Sequence, residues 1–183
     1  MARRQPLPRL WLMTDERIGD ALWDSLERLP RGSGIVFRHH ATPPTARRAL
    51  FDAVRQVARR RGLVLVLAGT PRLAAAWRAD GAHGSSPWRR VGRPLIRTAS
   101  AHRRAELTRN VDLIFLSPVF ATRSHPGAPA LGPVRFGLMA RGARPSIMAL
   151  GGMDAHRARR LRTLGADGYA AIDAWAGADR VRT

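Results

Sequence analysis

Short runs of Val, Ile, Leu and Phe alternate along the chain with longer stretches in which apolar residues recur every three or four positions. The first pattern is that of strands buried on both faces of a parallel sheet, the second that of helices with one inward face. LWLMT at 10–14 predicts a strand, and the helical stretch 18–29 places Ile18, Leu22, Leu26 and Leu29 on one side before Pro30 and Gly32 close it. GIVFR at 34–38 is the second strand. After Pro43 and Pro44 a helix runs to Arg61 on an inward stripe of Leu50, Val54, Val57 and Ala58, and Gly62 ends it. LVLVLA at 63–68, a short helix at 72–78, a weak strand at 79–84 and a loop at 85–93 follow. PLIRTA at 94–99, a helix at 101–109 and DLIFLSP at 112–118 come next, then a Gly/Pro-rich loop at 123–133 and a helix at 134–141. SIMALG at 146–151, a helix at 154–164 and GYAAIDA at 168–174 complete the series.

Eight strands joined by helices predict an α/β fold, a compact (β/α)8 TIM barrel with shortened helices that takes up 1–183 as one domain. Parallel neighbours need a crossover connection, and closing the sheet leaves no exposed edge. The shortening follows from length, since such barrels typically take about 250 residues and this chain has 183. An open doubly wound sheet is the other arrangement of the same elements.

Composition narrows the chemistry. Apolar residues are 45% and charged residues 25%, the balance of an ordinary folded protein. There is no cysteine and no lysine, and all 32 basic residues are arginine. Thiolate nucleophiles, Cys-ligated metals, Schiff-base chemistry and a P-loop lysine are thereby excluded. The net charge of +19 is spread from Arg3 to Arg182, densest at 47–61 and 157–162, where it reads as solvated helix exteriors. With aromatic residues at 6% and no aromatic-rich strand, this argues against nucleic acid and leaves small anions as partners. Pro6 and Pro8 interrupt the basic N-terminus, no small-residue cleavage pattern follows, and no apolar run approaches about 18 residues. A cytoplasmic protein without a membrane partner is expected; nothing in the sequence sets an oligomeric state.

In such a barrel, chemistry belongs to the loops after the strands. His39 and His40 follow strand two, His83 strand four, His102 strand five and His125 strand six; only His156 lies on a helix. Their spacing gives no HExxH-type metal signal. Arg38 ends a strand, where its guanidinium can fork onto phosphate oxygens. Gly151 and Gly152 end strand seven and lead into a helix near Asp154, a turn whose N–H groups can cradle a phosphate.

Seven segments, taken in order, resemble thiamine phosphate synthase and its TenI-like relatives over nearly the whole chain. They are LWLMTD at 10–15, GIVFR at 34–38, RADGAHG at 78–84, SAH at 100–102, DLIFLSPVFATRSHPG at 112–127, IMALGGM at 147–153 and LGADGYAAIDA at 164–174. SPVFATRS, ALGGM and GADGYAAI are the most specific pieces. The resemblance implies a transferase of thiamine biosynthesis that joins a hydroxymethylpyrimidine diphosphate to a thiazole phosphate with magnesium. It implies that Arg38 and Ser100 contact the diphosphate, and that Thr122, Ser124 and the N–H groups of Gly151 and Gly152 hold the thiazole phosphate. Arg38, His40, Ser100 and His125 are the candidate catalytic residues, and the partner is a phosphorylated small molecule.

The departures from the family pattern fall where the chemistry lies. The family's Gln two residues before Arg38 is Val36, and its Lys two residues after is His40. Its Asn-Asp pair after strand three falls on Ala68 and Gly69, and its metal-binding Asp falls within Ser85 to Trp88, where there is no carboxylate. Both expected magnesium ligands are missing, so no metal residues are assigned and no cofactor is certain. The family's Lys after strand six becomes His125 and its Ser on strand eight becomes Asp173, while the acid/base His of the TenI tautomerase falls on Ser117. These differences keep two other readings open. One is a TenI-like isomerase or another acid/base enzyme using rim histidines and Asp173; the other is a non-catalytic binder of phosphorylated ligands.

Overall fold

The computed structural model describes residues 6–84, 92–122, 127 and 129–172. Eight parallel strands close on themselves in sequence order, β1 (Leu10–Thr14), β2 (Gly34–Phe37), β3 (Val64–Ala68), β4 (Gly81–His83), β5 (Ile96–Ala101), β6 (Leu113–Leu116), β7 (Ser146–Leu150) and β8 (Gly168–Ala171). β8 returns to β1 through the register Leu10 to Tyr169, so the predicted barrel, not the open sheet, is the fold. Around it lie α1 (Ala21–Arg28), α2 (Pro44–Arg61), α3 (Pro71–Ala76), α4 (Gly132–Ala140) and α5 (Ala155–Arg162). Only α2, with 18 residues, is long; the others have 6 to 9, which is how a chain of this length closes the barrel. No helix among the described residues is long and apolar enough to cross a membrane.

The largest departures from the boundaries the sequence predicts lie in α1, β5 with the connection after it, and β8. The helix expected at 18–29 is split into a 3-10 turn at Glu16–Ile18 and α1, because the chain bends at Gly19. β5 starts two residues later than expected and runs to Ala101, since Ile96 N–H pairs with Asp80 O and fixes the register there. The connection to β6 is therefore only a 3-10 turn at Arg104–Thr108. β8 ends at Ala171, and residues 173–174 lie outside the described residues.

Alternate strand residues divide between an inner and an outer core, as the strand period requires. Trp11, Met13, Val36, Val66, Ala68, Leu113, Phe115, Met148 and Ala170 pack together inside the barrel. Ile35, Phe37, Leu65 and Leu67 pack outward against α1 to α3, while Ile114, Leu116, Ile147 and Ala149 pack against α4 and α5. Trp11 plugs the barrel: its ring meets Phe115 edge-on at 5.5 Å, and its Nε1 donates to Pro8 O at 2.7 Å. A Cβ at Gly34 would stand 2.2 Å from that ring, so glycine is what admits the indole.

The N-terminal ends of the strands are tied by a repeated device. Asp80, Asp112 and Asp167 each stand one residue before an even-numbered strand and accept the N–H of Leu65, Arg97 and Ile147 on the strand before, each at 2.8 Å. Each aspartate's own N–H returns to the carbonyl of that same residue, at 2.7 to 2.9 Å. The opposite end of the barrel carries the candidate chemistry.

Candidate active site

Arg38 is the residue after β2, and it is fixed before any ligand arrives. Its Nε donates to Thr14 O at 2.9 Å, its Nη2 to Asp15 Oδ2 at 2.7 Å, and its backbone N–H to Thr14 Oγ1 at 3.3 Å. Arg17 donates to the same carboxylate oxygen at 2.5 Å. Burial works to raise the Asp15 pKa, yet the Arg17 hydrogen bond and the charges of Arg38 and Arg17 outweigh it and hold the carboxyl below its ordinary value. Burial lowers the pKa of Arg38, with Asp15 opposing; a guanidinium stays charged all the same.

A second guanidinium reaches the same rim from α2. Arg47 donates from Nε and Nη2 to Arg38 O at 3.0 and 2.7 Å, and from Nη2 to Ala68 O at 2.8 Å. Its guanidinium carbon lies 5.8 Å from the centre of the Phe37 ring and 5.5 Å from that of Trp77. The arginine run at 47–61 predicts a solvated helix exterior, and Arg47 departs from it: the first turn of α2 leans over the barrel, so this side chain seals the ends of β2 and β3. Glu16 stitches the neighbouring loops, its Oε1 accepting from the N–H groups of Ala41 and Thr42 at 2.7 and 3.1 Å.

Three histidines surround these cations. His39, with a φ of 43°, is buried against Phe37 at 4.6 Å, its Nδ1 3.0 Å from Thr14 Oγ1. His40 is exposed on the rim. Burial lowers the pKa of both; at His39 Glu16 and Asp15 oppose it while Arg47 and Arg38 add to it, and at His40 Arg47 and Arg38 add to it against Glu16. His83 closes β4 with Nδ1 2.9 Å from Thr98 Oγ1 and Nε2 3.3 Å from Ser100 Oγ. Burial, then the charges of Arg38 and His40, bring its pKa down to about 4, so the ring is neutral near pH 7 and orients two hydroxyls.

Across the mouth, the chain after β6 lies on the turn after β7. Val119 and Phe120 N–H groups donate to Leu150 O and Gly151 O at 2.9 and 3.1 Å. Gly152 has a φ of +59°, and a Cβ there would sit 2.5 Å from Ala121 O, so the turn requires glycine. Arg157 donates to Gly152 O and covers the Phe120 ring at 4.7 Å, while Asp154 caps α5 through the Arg157 N–H at 2.8 Å. The Gly152 N–H donates to no group among the described residues, while that of Gly151 continues the β7–β8 ladder in which Leu150 pairs with Ala170.

Arg38, His40, Ser100, Thr122, Gly151 and Gly152 thus all follow or end strands at one rim of the closed barrel, β2 facing β6 and β7 with β5 between. Val36 and Ala68 point into the barrel below them. Ser124, His125 and Asp173 lie outside the described residues, as do Ser85 to Trp88. The sequence reading misses the Asp15 clamp on Arg38, the reach of Arg47 and the contact of His83 with Ser100. Asp15 had a signal, since it directly follows the first strand; Arg47 had none, since it is one arginine among many on a helix.

The donor set does not fit magnesium. Hard oxygen ligands, usually including one or two carboxylates, are what that ion takes, and the rim carboxylates among the described residues already accept hydrogen bonds from the chain. Asp15 accepts from Arg17 and Arg38, Glu16 from the 41–42 loop, and Glu106 from the N–H groups of His102 and Arg103 and from Arg109. No group of three or more His, Asp or Glu side chains able to hold a metal occurs among the described residues.

Comparison with known proteins points to one family. A family model described as thiamine monophosphate synthase matches residues 10–175. The chain is 30% identical over 191 residues to the thiamine-phosphate synthase of Chloroflexus aurantiacus, covering 94% of this chain and 87% of that one. It is 31% identical over 153 residues to the enzyme of that name from Haemophilus influenzae, covering 76% and 68%. Among solved structures it is similar to thiamine phosphate pyrophosphorylase from Pyrococcus furiosus, with a TM-score of 0.76 and 23% identity over 96% of this chain and 90% of that one.

Proposed function

The chain belongs to the thiamine monophosphate synthase family, and from that premise we propose that it is a transferase joining a pyrimidine diphosphate to a thiazole phosphate at the C-terminal rim of the barrel. One observation carries the reading: two anion-ready devices face each other across the mouth. Arg38, clamped by Asp15 and Thr14, stands on one side, and the Gly151–Gly152 turn, with the Gly152 N–H unclaimed among the described residues, stands on the other. Two phosphorylated substrates need two such places.

In this reading the bond between the pyrimidine methylene carbon and the diphosphate oxygen breaks with both electrons leaving on the diphosphate. The thiazole nitrogen lone pair then forms the new carbon–nitrogen bond. Arg38 meets the charge that develops on the leaving group, the role in which prearranged donors contribute most. Ser100 donates to the same group, its hydroxyl steered by neutral His83, and His40 and His125 add donors around it. Thr122, Ser124 and the Gly151–Gly152 turn hold the thiazole phosphate. No step is routed through a metal.

Incubation of the purified protein with both precursors across about pH 6 to 9 should yield thiamine phosphate and diphosphate in equal amounts. No product above background would remove the transferase reading. Thermal stabilisation by thiazole phosphate without turnover would leave a binding protein in its place.

A further inference from the structure

We propose that the β1 to β4 side of the rim binds a diphosphate without a divalent cation, the guanidinium groups of Arg38 and Arg47 supplying the charge that a metal would. The choice of diphosphate as ligand rests on the transferase reading; the charge argument does not.

The argument starts from the balance of charge around Arg38. Asp15 and Glu16 are the carboxylates there among the described residues, Asp15 accepting from Arg17 and Arg38 through both oxygens and Glu16 accepting through Oε1 from the N–H groups of Ala41 and Thr42. Against these two stand three guanidinium ions, Arg17, Arg38 and Arg47. Arg38 shares its carboxylate with Arg17. Arg47 is held only by carbonyl oxygens, which fix its place without cancelling its charge, and it forms no ion pair among the described residues. The surplus is felt at His40, where burial and then the charges of Arg47 and Arg38 act against protonation ahead of the opposing Glu16.

Geometry favours a phosphate as the missing counter-ion. Both guanidinium groups are anchored through Nε and Nη2, and in both Nη1 donates to no described residue. A planar fork already fixed by other bonds loses little rotamer freedom when it engages an anion. Arg47 also grips Ala68 O at the end of β3, which places a cation at the strand end where no carboxylate side chain stands to receive a metal. A diphosphate, with several oxygens of its own, can take donors from both forks at once.

Calorimetric titration of the full chain with inorganic diphosphate tests this, once in EDTA and once in excess magnesium. One site per chain should saturate in EDTA, with affinity no weaker than in magnesium. Arg47→Gln should weaken binding in EDTA about tenfold or more, the effect of losing charge-assisted hydrogen bonds. Arg47→Lys should recover part of it, although lysine cannot bridge the two carbonyls, so a purely structural role would leave Lys and Gln alike. Arg159→Gln, on the exposed side of α5, should bind as the unaltered chain does and so exclude unspecific attraction to the +19 charge. A requirement for magnesium in the unaltered protein overturns the proposal even if Arg47→Gln does not fold. So does equal binding by Arg47→Gln and Arg159→Gln. Turnover that needs magnesium would uphold the transferase and sink this inference; metal-free binding without turnover would do the reverse.

Discussion

The two ends of the barrel use charge in opposite ways. At the N-terminal end the aspartates before β4, β6 and β8 are satisfied by strand N–H groups, and a basin of about 1080 Å³ lined by Pro8, Leu63, Arg93, Pro94 and Pro145 lies beside them. There the ionised side chains finish the sheet. At the C-terminal end Arg38 and Arg47 are anchored by the fold and still keep donors in hand. One end is closed by its polar groups and the other is poised by them, which is the division between stability and chemistry expected of such barrels.

The largest test of that division removes a guanidinium from the poised end. Arg38→Gln should lower turnover roughly 100- to 1000-fold, as loss of a prearranged donor does, while stability measured by urea unfolding falls by only about 1 kcal/mol because Arg17 still neutralises Asp15. Equal losses in both would erase the contrast between the ends.

Acid should attack the rim before the base. His83 has a folded pKa of about 4, below its ordinary 6.5, so between these values the unfolded chain binds the extra proton and stability falls as pH falls. Its neighbours Thr98, Ser100, Phe115, Arg38 and His40 give that proton no anionic partner. The full effect is of the order of 3 kcal/mol, present above pH 6.5 and lost towards pH 4. Asp15, held below its ordinary 3.8, adds loss in the same direction mainly below that window, as pH falls past 3.8. His83→Gln should flatten the unfolding free energy between pH 6.5 and 4; an unchanged slope would take His83 out of the account.

At the closed end, Asp112→Ala removes the acceptor of the Arg97 N–H and a partner of its guanidinium. Denaturant titration should show a loss of about 2 kcal/mol, with diphosphate affinity of the folded protein unchanged. A change in affinity there would mean that the two ends are coupled. Gly152→Ala should cost at least as much stability, because the positive φ costs about 1 kcal/mol and the Cβ must also displace Ala121 O, which would stand 2.5 Å from it. Thiazole phosphate binding should weaken with it, since the N–H groups turn away.

The residues that were legible in the sequence share a reason. Arg38, Ser100, Gly151 and Gly152 sit at the C-terminal ends of short apolar runs, and a parallel barrel carries every such end to one rim. Helix α5 and the strands β1, β3 and β7 had boundaries readable to within a residue or two because caps and turns mark them locally. β5 did not, because its start is set by a hydrogen bond to Asp80 from another strand. The three aspartate sockets were equally hidden: Ala-Asp-Gly occurs at 79–81 and 166–168, but its acceptor role depends on which strand lies alongside.

By itself the sequence determined the order of strands and helices, the want of cysteine and lysine chemistry and the strand ends at which function was expected to gather, since periodicity and composition are properties of the chain read locally, whereas the closure of β8 on β1 was settled by the tertiary structure. Tertiary structure alone decided that Asp15 would clamp Arg38, that Arg47 would leave a helix surface to cap two strands, and that His83 would lie neutral against Ser100. Each of those is a contact between residues far apart in sequence, and its energy depends on distance and burial that exist only once the barrel has closed.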